Sequence, residues 1–332
     1  VDDAEMMFAQ NRLLRRHALG DFRQMTQEIS RDPAMLIYLD STTNRKAHPN
    51  ENYAREIMEL FCLGEGNYTE RDIQELARCF TGWEVRRNRF RFNRYQHDSG
   101  LKTILGETGN FGGEEGVDIV LKQNALPRFL AGKLIRFFVF DEPTAPEHLV
   151  EPLANLLRQS DLQIGPVIET ILSSNLFYSP LAVGRKVRSP VELGIGLLRC
   201  LHGSTNLEML ARRLDQIGQS VFYPPNVKGW DGGRTWINTS TLLGRSNLIG
   251  EVLRHEATRF NGASLETLAR THQVDSPEQL VDWLDQLLLA VPFDSTAKRE
   301  LLAFAKQTTG SPFRRIAELI HTMSTVPQFH LA

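Results

Sequence analysis

Two glutamates three residues apart, Glu56 and Glu59, stand in the stretch NENYAREIMELFCLGEGNYTERDIQELARCFTGW, residues 50–83. On a helix over 51–62, steps of about 100° per residue gather Glu51, Asn52, Arg55, Glu56 and Glu59 within an arc of about 140°. Tyr53, Ala54, Ile57, Met58, Leu60 and Phe61 fill the opposite side. Carboxylates at this spacing can converge on one proton, one ligand or one divalent cation. To act as general acid and base they need surroundings that push their pKa values apart. The same positions also describe a solvated face on which Arg55 bridges Glu51 and Glu59 at i±4 spacing. Both readings stand at this level.

His97 and Asp98 adjoin each other in a polar turn, with Lys102 close behind. A histidine beside an aspartate suits a proton shuttle or a metal ligand. An aspartate in a turn also has the plainer task of bonding the backbone two residues on. No H-E-x-x-H and no acidic calcium-loop pattern occurs, so no metal and no cofactor is indicated by motif. No G-x-S-x-G, P-loop or dinucleotide-binding G-x-G-x-x-G unit is present either, which removes the usual support for those hydrolase and nucleotide classes.

Two further stretches carry binding chemistry. Arg86, Arg87, Arg89, Arg91 and Arg94 crowd a short segment, interleaved with Phe90 and Phe92. Such alternation presents guanidiniums to phosphate, sulfate or an anionic polymer, or describes a strand with one wet face. QSVFYPPNVKGWDGGRTWINTST, residues 219–241, is long and irregular. There Trp230 and Trp236 offer flat surfaces for a sugar or a base. Asn226, Lys228, Asp231, Arg234 and Asn238 flank them, and Gly229, Gly232 and Gly233 permit close backbone approach. The alternative is that both tryptophans plug the loop onto neighbouring helices.

The whole-chain totals exclude more than they select. The chain has 332 residues, 41% of them hydrophobic and 23% charged, as ordinary soluble proteins have. A formal charge of −2 gives no global reason to expect nucleic acid as a partner. No apolar run approaches the roughly 20 residues that span a bilayer. Cys62, Cys79 and Cys200 show no zinc spacing and read as small buried hydrophobes. The opening VDDAEMMFAQ has neither a start methionine nor a signal-like region. The chain is therefore expected to be a trimmed piece of a longer one, its compartment left open between cytoplasm and periplasm or export.

The elements that must position these residues are mostly helical. Apolar periodicity predicts helices over 2–19, 21–31, 33–40, 51–62, 69–83, 114–124, 127–140, 146–159, 165–176, 190–202 and 206–217. It predicts others over 239–260, 264–271, 277–290, 295–308 and 312–324. Thr69 with Asp72, Ser189 before Pro190, Ser276 before Pro277 and Ser311 before Pro312 mark starts. Alternation in RFRF, a polar turn and the run KTILG predict one small β-hairpin near 88–106. The expected fold class is mainly α, a multi-helix globular array with that hairpin inserted. NGAS, residues 261–264, marks the expected boundary between a core over 1–262 and a C-terminal helical bundle over 263–332 packed on it, the alternative being one single domain.

Several stretches together resemble a bacterial family known as domain of unknown function 1800. They are LLRRHALGDF, DPAMLIYLDS, the 50–83 stretch, HDSGLKTILGETGNF, RFLAGKLIRFFV, SPVELGIGLLR and GQSVFYPPNVKGWDGGRTWINTSTLLGRSN, in the family's order over about residues 10–250. The resemblance implies a largely helical protein, here the C-terminal two-thirds of a longer family chain. It also implies work beside an exported sulfatase- or phosphatase-like hydrolase. The resembling stretches contain the polar residues singled out above, which suits an interior polar cluster, structural or catalytic, better than a merely wet face. Two functions follow. One is an accessory protein that binds a glycan or anionic substrate through the Trp loop and the arginine-rich ribbon. The other is a hydrolytic enzyme with Glu56 or Glu59 as base and His97 with Asp98 as shuttle. In the second, Arg55 or Lys228 would hold negative charge.

Overall fold

The structure, a computed structural model, describes residues 1–332. It is mainly α-helical, with sixteen α-helices and three two-stranded antiparallel sheets. Two compact units divide the chain. The first comprises Val1–Phe138 and Thr144–Ser174, the second Val139–Pro143 and Asn175–Ala332. Residues 261–264 lie within the second unit. There Asn261 and Gly262 adopt φ values of 51° and 72° and make a tight turn, not a linker. One apolar core, from Leu193 to Phe329, runs on both sides of that turn.

In the first unit the helices are α1 (Ala4–His17), α2 (Phe22–Ser30), α3 (Pro33–Tyr38), α4 (Asn52–Glu56) and α5 (Glu70–Cys79). After them come α6 (Gly113–Leu121), α7 (Ala125–Phe138), α8 (Glu147–Gln159) and α9 (Ile164–Ser173). Thr69 opens α5 with the reciprocal bonds its spacing predicts: its hydroxyl accepts from Asp72 N, and Asp72 accepts from Thr69 N. Leu36, Ile57, Met58, Ile73, Leu76 and Val117 are wholly buried and form the core.

Two departures bear on the site. The expected helix over 51–62 is α only to Glu56. Ile57–Cys62 is a π-helix, and Leu63 N–H donates to Met58 O at 2.8 Å. Bonds from i to i+5 widen the turn, so the 100° wheel no longer describes this end. Leu60 and Phe61, expected on the apolar side, are accordingly only half-buried.

The second departure is in the hairpin. RFRF does not pair with KTILG. Strand β1 (Trp83–Arg86) pairs with β2 (Arg89–Phe92), and β3 (Lys102–Ile104) pairs with β4 (Glu107–Gly109). The joining turns are Arg87-Asn88, at φ 52° and 60°, and Leu105-Gly106, at φ 48° and 87°. Two-residue turns with positive φ at both positions match the twist of the strands they join. Arg-Asn and Leu-Gly advertise such a turn far less than Asn-Gly does, so strand alternation alone passes over both.

The arginine ribbon is held at its root by aromatic packing. Tyr53, Phe80, Trp83 and Phe90 contact in succession, with ring centroids 5.0, 5.1 and 5.3 Å apart. Gly82, at φ 82°, donates to Asn44 O at 3.0 Å, and any Cβ there would lie 2.4 Å from Asn93 O. Only glycine fits this junction.

The second unit contains α10 (Pro190–Cys200), α11 (Leu207–Gln216), α12 (Thr239–Arg254), α13 (Leu265–Thr271), α14 (Pro277–Leu288), α15 (Ser295–Gln307) and α16 (Pro312–Met323). Its sheet pairs β5 (Gly203–Ser204) with β6 (Arg259–Phe260). That pairing ends α12 at Arg254, short of the expected 260. Helix α12 packs against α10, α11 and α16. Leu193, Leu248, Leu284, Ile320 and Met323 fill the space between helices. No helix of the chain is long and apolar enough to cross a membrane. The three cysteines are free; Cys62 and Cys79 are buried as expected, while Cys200 is only half-buried.

Candidate functional site

On the polar face of the first unit the salt partners differ from those that a single helix suggests. Arg55 grips Glu70 with two parallel bonds of 2.8 and 2.7 Å and reaches Glu51 at 3.3 Å. Glu59 is instead the acceptor for the Tyr68 hydroxyl, at 2.7 Å. Glu70 lies in the first turn of α5, outside any reading confined to residues 51–62. Its signal was the Thr69 cap, which fixes where that helix begins.

Electrostatics follow these pairings. The hydrogen bond from Arg55 holds the Glu70 carboxyl below its usual range. Burial and Glu59 push the Tyr68 hydroxyl up. Glu56 has no hydrogen-bond or ion-pair partner. Its carboxyl is pushed up, first by burial and then by Glu59, with Arg55 opposing. Asn52 is exposed, and its main-chain N–H donates to Asn50 Oδ1 at 2.9 Å.

His97 and Asp98 N–H both bond Thr81, which is wholly buried. His97 Nδ1–H donates to Thr81 O at 2.9 Å. The Asp98 carboxylate accepts from Arg78 Nε at 2.7 Å and from Gly100 N at 2.8 Å, not from His97. The Arg78 bond holds its pKa low. Lys102 is 1% exposed, and its Nζ donates to Asp98 O at 2.6 Å and Gly100 O at 3.1 Å. Glu75 completes the network, accepting from Arg78 Nη1 at 2.8 Å and Thr103 N at 2.9 Å. The Arg78–Asp98 and Glu75–Thr103 bonds fasten the turn between the two ribbons to α5, and the Lys102 bonds tighten the turn itself. No group of three His, Cys, Asp or Glu side chains gathers closely enough to hold a metal ion.

On the ribbon, Arg86, Arg87, Arg89 and Arg91 are all exposed, as is Arg94 in the 3-10 turn that follows. Arg91 stands opposite Glu84 across the strands, but Glu84 is taken by Arg45 at 3.4 Å and by Asn93 at 2.7 Å. Arg94 lies over the Tyr95 ring, 5.1 Å from its centroid.

The Trp loop, in the second unit, divides the roles of its residues. Trp236 is 8% exposed and plugs the loop, whereas Trp230 is half-buried. Lys228 pairs with Asp231 at 3.3 Å, and Arg234 with Glu142 at 3.2 Å. Asn238 Oδ1 accepts from Thr241 N at 2.9 Å and so caps α12, while Asn226 is exposed and its carbonyl accepts from Gly229 N. Sequence reasoning passed over Val221, Phe222 and Tyr223, which are 45%, 53% and 61% exposed. Phe222 adopts φ 68°, a strained value for a bulky side chain. Glu56 and His97 belong to the first unit and the Trp loop to the second.

The chain belongs to the family described as Protein of unknown function (DUF1800), whose model matches residues 1–331. The match takes in the last eighty or so residues, where the quoted motifs run out. No curated protein and no solved structure matches the chain.

Proposed function

We propose that this family member is an accessory binding protein for a sulfated or otherwise anionic glycan, presented to a hydrolase-like partner. One observation carries the reading. Four arginines stand exposed on one ribbon and Arg94 just after it, and none of the five forms an ion pair, while most other arginines of the first unit are paired. The candidate acid–base groups mostly have internal partners: Glu59 has Tyr68, Asp98 has Arg78, and the His97 Nδ1 has Thr81. The exposed aromatic residues of the Trp loop supply a second surface of the kind that sugars stack on.

The test is chromatography of the full chain on immobilised heparin. With a formal charge of −2, the protein as a whole has no reason to be retained. Retention is expected, with elution at lower salt for the triple variant Arg87→Ser, Arg89→Ser, Arg91→Ser and an unchanged melting temperature. Passage through the column, or the same elution salt for both proteins, would sink the reading.

A hydrolytic reading stands second, on the single fact that Glu56 is unpartnered and its carboxyl pushed up. It requires that Glu56→Gln abolish turnover of a sulfate or glycosyl ester by the native protein.

A further inference from the structure

We infer that the arginine ribbon recognises tetrahedral oxyanion esters, the sulfate groups of a glycan, in preference to carboxylates, by clamping each between guanidiniums of facing strands. The inference rests on the anionic-glycan reading and names the group that such a glycan must carry.

The register of β1 and β2 decides which side chains share a face. Residues directly opposite in an antiparallel pair project to the same side, and neighbours along a strand alternate. Trp83 stands opposite Phe92 and Val85 opposite Phe90, so these four make one side. Trp83 is buried there, and Val85 and Phe90 are half-buried. The other side carries Glu84 opposite Arg91 and Arg86 opposite Arg89. Three exposed guanidiniums thus line one open face, with Arg87 in the turn beyond them.

That face is unfavourable as it stands. Like charges directly opposite each other destabilise a strand pair, and Arg86 and Arg89 are such a pair. Arg87 adds a third positive charge from a backbone in the left-handed region, at φ 52°. The carboxylates at the two ends of the ribbon do not offset this. Glu84, at the root, is held by Arg45 and Asn93. At the tip, Asp3 accepts from Met6 N at 2.8 Å and from Asn88 Nδ2 at 2.9 Å. An anion from outside supplies what is lacking. Because Asp3 caps α1, the Asn88 bond also ties the tip to that helix, so the ribbon is fixed before a ligand arrives.

The arrangement selects the head group. One guanidinium fork satisfies both oxygens of a planar carboxylate. A sulfate ester spreads three terminal oxygens about its axis and can bond two forks at once. Arg86 and Arg89, with Cβ atoms about 5 Å apart as directly opposed residues have, are placed to share one such group. Arg91 follows two residues from Arg89 on the same strand, about 7 Å along, and takes the next. The aromatic rings lie on the opposite side, so the open face gives a base nothing to stack on, which favours a glycan over single-stranded nucleic acid.

The experiment is calorimetric titration of the full chain, at one ionic strength, with dextran sulfate, carboxymethyl dextran of the same charge density and a single-stranded DNA oligonucleotide. The first two share a backbone and differ in the head group. Dextran sulfate is expected to bind at least about tenfold more tightly than either of the others. Arg89→Gln should cut the preference for sulfate over carboxylate to less than about threefold. It should not lower the melting temperature, since it relieves a like pair. Arg94→Gln removes the same charge from the turn after the ribbon; it should weaken both dextrans alike and leave the preference as it was. Equal affinity for the two dextrans overturns this inference and leaves the anionic-glycan reading standing, whereas binding of neither sinks both. A preference that survives Arg89→Gln, or that Arg94→Gln reduces as much, overturns the clamp. DNA bound as tightly as dextran sulfate overturns the glycan as the source of the group.

Discussion

Lys102 in the first unit and Arg245 in the second are both cations with almost no exposure, at 1% and 0%, yet they are treated in opposite ways. Lys102 gives its ammonium to two backbone carbonyls of one turn, and Asp98 and Glu75 stand within electrostatic reach. Arg245 has one carbonyl partner and two unmet nitrogens. The residues that look catalytic by type and spacing are thus mostly the ones whose bonds are already committed to holding a turn. Among buried groups, the unspent chemistry lies in a helix and a tail segment that no motif marks. Residue type shows what a side chain can do; only its partners show whether that capacity is free.

The same substitution at both sites would break this comparison most sharply. Lys102→Met keeps the side-chain volume but strands two carbonyls that a charged donor now satisfies, a loss of about 3–4 kcal/mol. Arg245→Met gives up one hydrogen bond while relieving an unpaired buried charge, so stability should change by less than about 1 kcal/mol or rise. Urea denaturation of both variants beside the native chain checks the contrast. Equal losses would mean that Arg245 has partners comparable to those of Lys102.

Acid separates the regions next. His330 has a folded pKa of about 4 against an ordinary value of 6.5. A depressed histidine binds fewer protons folded than unfolded. Its contribution is therefore fully present above pH 6.5 and is lost as pH falls from 6.5 toward 4. The expected loss is about 2–3 kcal/mol over that window, and His330→Gln should flatten it. Asp98, held low by Arg78, acts in a different range: its contribution goes only as pH falls below the ordinary carboxylate value of 3.8. Stability of the native chain and of His330→Gln, measured at half-unit steps of pH, tells the two apart. A slope between pH 4 and 6.5 that His330→Gln leaves unchanged would place the titrating group elsewhere.

How far these differences can be read from sequence depends on distance along the chain. Helices were legible because their periodicity and caps are local: Thr69 and Asp72 bond as their spacing predicts, and Ser189 before Pro190 caps α10. The ribbons were half-legible. Alternation finds a strand such as RFRF, but its partner depends on turns whose residues, Arg87-Asn88, carry little signal. The π-turn at Ile57–Cys62 has no sequence mark, and it moves Glu59 off the wheel on which Arg55 was expected to meet it. Least legible was the buried cationic group. Arg188, Arg245 and His330 lie tens of residues apart, each in an ordinary setting, and only folding makes them neighbours.

Glu56 is the case within the first unit that does not fit its region, and it gives the smallest expected effect. Its folded pKa lies above the ordinary 4.5, so in the folded chain the ionised form is the costly one. The cost is present above the folded pKa and vanishes below 4.5, the reverse of the Asp98 case. Glu56→Gln should therefore stabilise the protein at pH 7 by a few tenths of a kcal/mol, as removal of a like charge on one helix face does. The gain should disappear at pH 4. Glu59→Gln should act the other way, because it removes the carboxylate that accepts from Tyr68. Urea melts at the two pH values decide the sign. If Glu56→Gln destabilises at pH 7, Glu56 has a partner in solution, as Glu51, Glu59 and Glu70 on that face do. If it stabilises, one carboxyl of that face is held there against its own electrostatics, and chemistry on a ligand becomes the reason to look for.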